Sequence, residues 1–301
     1  MYSNRPKGTP VLASTSATED HACLIVHGPD RAGIVAAVTS LITRNQGNIV
    51  ALDQFSDNPE GGAFFQRVVF HRRDLSAALP EIEADLAATV TPLGLEWRLT
   101  DQSVPKRMAI LASIADHCLL DLLWRHRRGE LQADIPLVIS NHTNTEDDVR
   151  SFGVPFHHVP SQSGDKSAAE AEILNLLAGK VDFVVLARYM QILSDDFLER
   201  VGVPVINIHH SFLPAFIGAT PYRKAKERGV KLIGATSHYV TGDLDEGPII
   251  EQDVIRVSHA DSAADMQQRG ADAERAVLSR AVIWHAQDRV IRHGNHTIVF
   301  S

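Results

Sequence analysis

The pattern of apolar residues changes character near residue 100, and that change bounds the fold more tightly than any single motif. Before it, short periodic segments follow one another in the order β-α-β-β-α-β. Ala22–His27 reads as a strand, and the turn residues Gly28-Pro29-Asp30 precede a helix-periodic stretch from Gly33 to Arg44 that Gly47 stops. Asn48–Phe55 and Ala63–His71 read as strands on either side of Gly61-Gly62, with Phe65, Arg67 and Val69 alternating against neighbours on the other face. A helix over Leu75–Ala88 and a strand over Leu95–Leu99 complete a split βαβ, ferredoxin-like module.

Beyond it the chain alternates β and α. Thr100-Asp101-Gln102-Ser103-Val104-Pro105 is polar and ends in proline, and we place a linker over residues 101–106. Buried-type strands are expected at Met108–Ala112, Pro136–Ser140, Phe183–Ala187 and Val203–Ile208, with helices such as Cys118–Arg127 and Lys166–Leu177 between them. Such strands separated by helices imply an α/β domain built on a largely parallel, Rossmann-like sheet covered on both faces. Ile233–Val240 and Ile249–Val257, joined by a compact acidic turn, read as a hairpin, and a last helix is expected over Ala271–Ala286. The chain is thus expected to hold a polar, disordered lead over residues 1–20, a first domain over 21–100 and a second over 107–301.

Composition narrows the function. A net charge of -8 argues against broad nucleic-acid or anionic-membrane binding, which needs a basic surface to neutralise phosphates. No apolar run approaches the length needed to span a bilayer, and the lead lacks the apolar core of a signal peptide. Cys23 and Cys118 have neither metal-ligand spacing nor the number for a disulfide framework, which fits a reducing cytoplasm; both are expected in the core.

The chemistry concentrates in Val205–Pro214 and Thr241–Pro248. In an extended strand Asn207, His209 and Ser211 share a face while Ile206 and Ile208 enter the opposite layer. Open parallel sheets bind ligands at the carboxyl ends of their strands, so the amide and the imidazole sit on a rim shared with Arg188–Leu193. Asp245, arriving from the second segment, would complete a proton-handling site, because an imidazole serves as acid or base only when something fixes its tautomer and charge. Alternation puts His210 on the other face, where it reads as structural, as do His157 and His158 at a strand end. A metal site of His209, His210, His238 and Asp245 is disfavoured, since adjacent histidines on opposite strand faces are poor joint ligands; no metal is expected.

These residues carry a resemblance. Asn207-Ile208-His209-x-Ser211-x-Leu213-Pro214, followed by Thr241-x-x-Leu244-Asp245-x-Gly247-Pro248, is similar to the signature of the folate-dependent formyltransferases. Within that family the chain resembles the formyltetrahydrofolate deformylases. The likeness lies in the doubled histidine of Asn207–Phe216, the run Leu186–Ser194, Arg228-Gly229-Val230-Lys231 before Gly234-Ala235-Thr236, and His117-Cys118-Leu119 followed by Asp121-Leu122-Leu123-Trp124. Gly28-Pro29-Asp30-Arg31-Ala32-Gly33-Ile34-Val35 looks like the first turn of an ACT regulatory domain, so the resemblance extends over residues 21–301. It implies hydrolysis of 10-formyltetrahydrofolate to formate and tetrahydrofolate, supplying formate for purine synthesis or one-carbon balance. The alternative is a formyltransferase with an amine acceptor. Asn207, His209 and Asp245 are then the implied catalytic residues. Asn207 and a protonated His209 would donate to the formyl oxyanion, while Asp245 would hold His209 charged and accept a proton from the attacking water. Backbone groups around Met190, Gln191, Leu193 and Val240 would form the pterin slot, with His238 ordering the pocket. Folate is the substrate in this reading, and no cofactor is implied.

An ACT-like module implies a homodimer or homotetramer and amino-acid effectors, with methionine and glycine as candidates and Asp30, Ala32, Gly33, Ile34 and Asn48 as contacts. The chain also departs from the family pattern. Ala32 stands where proline is usual, which loosens the first helical turn. Ile114 and Ile217 stand where lysine is frequent, which removes positive charge that folate's glutamate carboxylates would meet; Arg188, Arg223 and Lys224 are the compensating cations. Gly242 replaces a commonly acidic residue, leaving Asp243 and Asp245 in the turn.

Overall fold

The computed structural model describes residues 18–161, 166–215 and 221–301, and the chain divides into two compact units, Met1–Val104 and Pro105–Ser301. In the first unit β1 (His21–Pro29), β2 (Asn48–Ser56), β3 (Ala63–His71) and β4 (Glu96–Asp101) pair antiparallel in the order β2-β3-β1-β4. Helices α1 (Ile34–Arg44) and α2 (Leu75–Thr89) cover one face. There Leu24 and Val26 of β1 and Phe64 and Val68 of β3 pack with Ile34, Val38, Leu41, Ile82 and Leu86 in one core. Gly33 caps α1 at φ 94°, a backbone conformation that disfavours any residue with a side chain.

Two expectations change here. Asp20, expected in the disordered lead, belongs to the unit: its carboxylate accepts from the Leu75 N–H at 3.0 Å and its carbonyl from the Arg72 N–H at 2.9 Å. Residues 1–17 of that lead lie outside the described residues. Asn48, expected beside the Asp30–Ile34 loop, is at the far end of the sheet. It pairs with His71 at one end of β3, whereas β1 ends with Pro29 opposite Ala63 at the other. The length of β3 puts about 26 Å between them at 3.3 Å per residue. The neighbour of Asp30 is instead Ser56, whose hydroxyl donates to its carboxylate.

The second unit contains β5 (Lys106–Ala112), α3 (His117–Arg127), β6 (Ala133–Ser140), α4 (Glu146–Ser151), β7 (Phe156–His158), α5 (Lys166–Leu177), β8 (Phe183–Ala187), α6 (Asp195–Val201), β9 (Val205–His209), α7 (Pro221–Arg228), β10 (Leu232–Tyr239), β11 (Ile249–Arg256) and α8 (Ala263–Ala286). Its sheet runs β11-β10-β9-β8-β5-β6-β7, parallel from β9 through β7 and antiparallel at β10 and β11. Helices α3 and α8 bury Met108, Ile110, Ile206 and Ile208 on one face, and α5 and α6 bury Ala109, Leu111, Val184 and Val205 on the other. Burial of both faces is why these strands show no apolar alternation. The chain proceeds from β5 to β6 and β7 on one side and then crosses to β8 and β9, so the topological switch falls between β5 and β8.

Three elements differ from expectation. Strand β4 reaches Asp101 and β5 begins at Lys106, so both ends of the expected linker are strand residues. Helix α8 begins at Ala263 rather than Ala271, started by a capping box in which Ser262 and Asp265 satisfy each other's backbone N–H. Its first turns are polar and interrupted by Gly270, which hid the periodicity; a Cβ there would lie 2.5 Å from Tyr222 Cζ, so packing requires the glycine. A terminal hairpin of β12 (Val290–His293) and β13 (His296–Val299) was not anticipated. Among the described residues no helix is long and apolar enough to cross a membrane.

Candidate active site

Strand β9 ends at His209 on the carboxyl edge of the sheet, with Ile206 and Ile208 turned into the α3–α8 core. Antiparallel pairing sets His238 of β10 directly opposite Asn207. Asn207 Nδ2 lies 3.2 Å from His238 Nε2, and His238 Nδ1 lies 2.9 Å from the Tyr239 carbonyl oxygen. A carbonyl can only accept, so Nδ1 carries the proton and Nε2 receives one amide N–H of Asn207. The amide is thereby oriented and keeps its second N–H for a ligand. Burial pulls the His238 pKa down, outweighing the Tyr239 carbonyl and Asp245, and so favours the neutral ring this role needs.

The turn between β10 and β11 brings Asp245 Oδ1 to 3.3 Å from His209 Nδ1 and 3.8 Å from His238 Nε2. The hydrogen bond from His209 holds the Asp245 carboxyl below the ordinary carboxylate value, against the opposing effect of burial. With Nδ1 braced on Asp245, His209 has only Nε2 left, and that atom is buried without a hydrogen-bond partner among the described residues. An unpaired buried polar atom costs about 1–3 kcal/mol, which a bound ligand would recover. The structure thus gathers Asn207, His209 and Asp245 around one point, with His238 orienting the amide.

A pocket of about 260 Å³ opens over this point. Met190, Gln191, Leu193, His238 and Val240 all line it, and so do Ile192 and Leu244, which sequence reasoning passed over. Ile192 is 60% exposed and Leu244 55%, an apolar rim with no signature in the sequence. The Val240 N–H is engaged with the Val205 carbonyl at 2.8 Å, so among its backbone groups only the carbonyl remains for a ligand. The Arg188–Leu193 loop is pinned where it enters α6. Ser194 donates from N and Oγ to the buried Glu170 carboxylate at 2.9 and 2.5 Å, while its Oγ caps Phe197 N. No sequence signal marked Glu170.

Two alternation arguments fail past the end of β9. His210 does not face away: its ring centroid is 5.3 Å from that of His209, and it lines the same pocket. Burial, followed by the Arg188 charge, pushes its pKa down to about 4. Ser211 turns from the site and donates to the Ala215 carbonyl at 2.9 Å, securing the turn after the strand.

The acidic turn explains two glycines. A Cβ on Gly242 would lie 2.6 Å from Asp195 Oδ1, so any side chain there would have to displace the exposed Asp195 carboxylate. A Cβ on Gly247 would lie 3.0 Å from the Tyr239 carbonyl carbon and closer still to its oxygen. Gly247→Ala is therefore expected to push the turn off β10 and cost about 1–3 kcal/mol of stability, checked by chemical unfolding.

The cation expectations divide. Ile114 is an exposed loop residue, and Ile217 and Phe216 lie outside the described residues. Arg188 Nη1 faces Glu274 at 3.5 Å; Arg223 and Lys224 are exposed on α7. Among the described residues His117, Cys118 and Glu274 bring metal-type donors within 4.8 Å of one another. They fit a cation poorly, because burial pushes the Cys118 thiol up and the Arg188 guanidinium already occupies the carboxylate's field.

An oriented amide, an imidazole braced by a carboxylate and a mostly apolar pocket at the carboxyl edge of a mostly parallel sheet define a formyltransferase-type domain, and the formyl transferase family model matches residues 106–282. An ACT-domain model matches residues 24–87. The formyltetrahydrofolate deformylase of Mycobacterium bovis is 58% identical over 92% of this chain and 90% of its own length. That of Bacillus subtilis is 48% identical over 94% and 95%. The crystal structure of a formyltetrahydrofolate deformylase from Pseudomonas syringae pv. tomato superposes with a TM-score of 0.90 at 45% identity, covering 93% of this chain and 94% of that one. The chain belongs to the formyltetrahydrofolate deformylase family.

Proposed function

We propose that the chain hydrolyses 10-formyltetrahydrofolate to formate and tetrahydrofolate, using Asn207, His209 and Asp245. The observation that carries this reading is the buried Nε2 of His209, without a hydrogen-bond partner among the described residues, beside an amide whose orientation is fixed. Attack of water on the formyl carbon places negative charge on the formyl oxygen. The second N–H of Asn207 and Nε2–H of His209 donate to it, and such preorganised donors are worth about 2.7–4 kcal/mol each at comparable oxyanion sites. Asp245 holds His209 by Nδ1 and positions the water, taking its proton for delivery to the departing nitrogen. The apolar rim of Met190, Ile192 and Leu244 receives the folate ring system, with backbone groups of the Arg188–Leu193 loop addressing the pterin edge. No step of this scheme requires a metal.

The test is formate release from 10-formyltetrahydrofolate in buffer free of amines, run in ¹⁸O-labelled water. Label appearing in formate is the expected result; strict dependence on an added amine would overturn it in favour of the formyltransferase. In the same reading the ACT unit binds methionine or glycine through the Asp30–Ile34 loop, without Asn48 of the same chain, and assembles the enzyme as a homodimer or homotetramer. A cytoplasmic enzyme of this kind would feed formate to purine synthesis or one-carbon balance. Millimolar methionine or glycine should then shift activity or thermal stability, and an indifferent response to both would remove the effector assignment.

A further inference from the structure

The pocket over Asn207 and His209 continues on the side of His210. Arg188 and His210 line both it and a second depression of about 360 Å³, whose far wall includes Tyr222, Arg223, Ala264 and Gln267. That depression shares Arg188, Tyr222, Ala264 and Gln267 with a third, of about 480 Å³, which reaches Ala115 and His117 after β5. These two form a side compartment at the topological switch between β5 and β8, where open α/β sheets characteristically take their ligands. The pocket over Asn207 and His209 lies to one side of that switch, so the compartment has room of its own.

Its chemistry is that of an anion site. Arg188 Nε and Nη1 are buried and make no hydrogen bond among the described residues. The charge of Arg188 is balanced by Glu274 at 3.5 Å, but that carboxylate accepts its hydrogen bonds from His117 Nε2 at 2.8 Å and the Tyr222 hydroxyl at 2.7 Å. Arg188 also holds a φ of 62°, a conformation that a side-chain-bearing residue keeps only where its surroundings impose it. A guanidinium with unspent, desolvated donors matches a carboxylate in both charge and planar geometry.

We propose, resting on the hydrolase reading, that this compartment receives the formate product and releases it past His210 and α8 while tetrahydrofolate still fills the main pocket. During hydrolysis the water oxygen bonds to the formyl carbon, the C–N10 bond breaks and N10 gains a proton. Formic acid loses its own proton to solvent. The resulting anion then stands beside the Asp245 carboxylate, which repels it, and near Arg188, which attracts it. Small residues at the start of α8, Ala263 and Ala264, leave the outer wall open to an ion of this size.

Product-inhibition kinetics test the assignment. Formate leaving first should inhibit noncompetitively against 10-formyltetrahydrofolate, with tetrahydrofolate competitive. Arg188→Gln should raise the formate inhibition constant about tenfold, the worth of one charge-assisted hydrogen bond. Ala264→Glu, on the exposed first turn of α8 and away from Glu274, should raise it in a chain that folds as the wild type does. In parallel, ¹³C-formate line broadening by the enzyme saturated with tetrahydrofolate reads binding without turnover. Broadening that disappears in both variants is the expected result. Competitive formate inhibition, or an unchanged constant in both variants, overturns the proposal. Formate binding in a protein that fails to release formate from 10-formyltetrahydrofolate would instead sink the hydrolase reading and leave an anion compartment standing.

Discussion

Asp245→Asn is expected to lower kcat by about three orders of magnitude with little change in KM, because the interaction it removes matters most when charge develops. In the folded protein the carboxylate is the partner of His209 Nδ1 and the second neighbour of His238. An asparagine keeps the shape and loses the charge. It can offer Nδ1 either an amide oxygen, which leaves a neutral ring with its proton on Nδ1 and none on Nε2 to donate, or an amide N–H, which keeps Nε2–H but only on an uncharged ring whose hydrogen bond is weaker. The ionisation of Asp245 fixes the pH behaviour. Its pKa lies below the ordinary aspartate value, so the carboxylate is present throughout the neutral range and is lost only as the pH falls through that lowered value. The wild-type profile near neutrality is therefore not governed by Asp245. Asp243→Asn, two residues away and exposed, should retain wild-type turnover. Steady-state kinetics of the two variants decide the matter, and an Asp245→Asn enzyme with more than about a tenth of wild-type kcat would remove Asp245 from the proton-handling role.

Much of this site was legible because it rests on local periodicity. Asn207 and His209 fall two apart in a strand, and Asp245 falls in an acidic turn, so each could be named from sequence. What ties them together was not. The bond between Asn207 and His238 exists because β10 pairs with β9 across the α7 connection, a register that no short-range pattern encodes. His210 and Ser211 were misassigned for the converse reason: strand alternation was carried past His209, where the strand has ended. Gly247 stood in the sequence only as part of a motif, yet its constraint is a backbone contact with Tyr239, visible only when the hairpin is closed.

The fold shows the same division. Strands β5, β6, β8 and β9 were found from their uninterrupted apolar runs, which a sheet covered on both faces demands. The start of α8 was lost because its first turns bury little and carry Gly270 at a contact with Tyr222. Asn48 was placed beside the Asp30 loop although β3 separates the two; sequence order reports which segments are strands but not which ends of them meet. Glu274 carried no signal, and Arg188 was read as a cation for folate carboxylates, since a carboxylate in a helix and an arginine after a strand do not read as a buried pair until the packing brings them together.

That buried pair carries the largest stability effect we expect: Glu274→Ala should cost about 3–5 kcal/mol, the usual result of removing one partner of a buried ion pair. Glu274 is 2% exposed and accepts from His117 and Tyr222 while facing Arg188. Alanine would leave the tyrosine hydroxyl and a buried guanidinium uncompensated and open a void beside Gly270. In a domain of this size each kcal/mol lowers Tm by about 2–4 °C, so a loss of ~10 °C is the expected scale. Glu274→Gln keeps the volume and an acceptor, and should fall between the two. Burial pushes the Glu274 pKa up, but the His117 hydrogen bond, the Arg188 charge and the Tyr222 hydrogen bond outweigh it, and the net shift is downward from 4.5. A group whose pKa is lower in the folded state than in the unfolded chain stabilises the fold fully above the unfolded value and ceases to do so as pH falls through the folded one. The difference in unfolding free energy between wild type and Glu274→Gln should accordingly hold constant near neutrality and shrink as the pH drops below 4.5. Chemical unfolding of both variants across that range measures it, and a Glu274→Ala loss under about 1 kcal/mol would show that the cluster is solvated rather than structural.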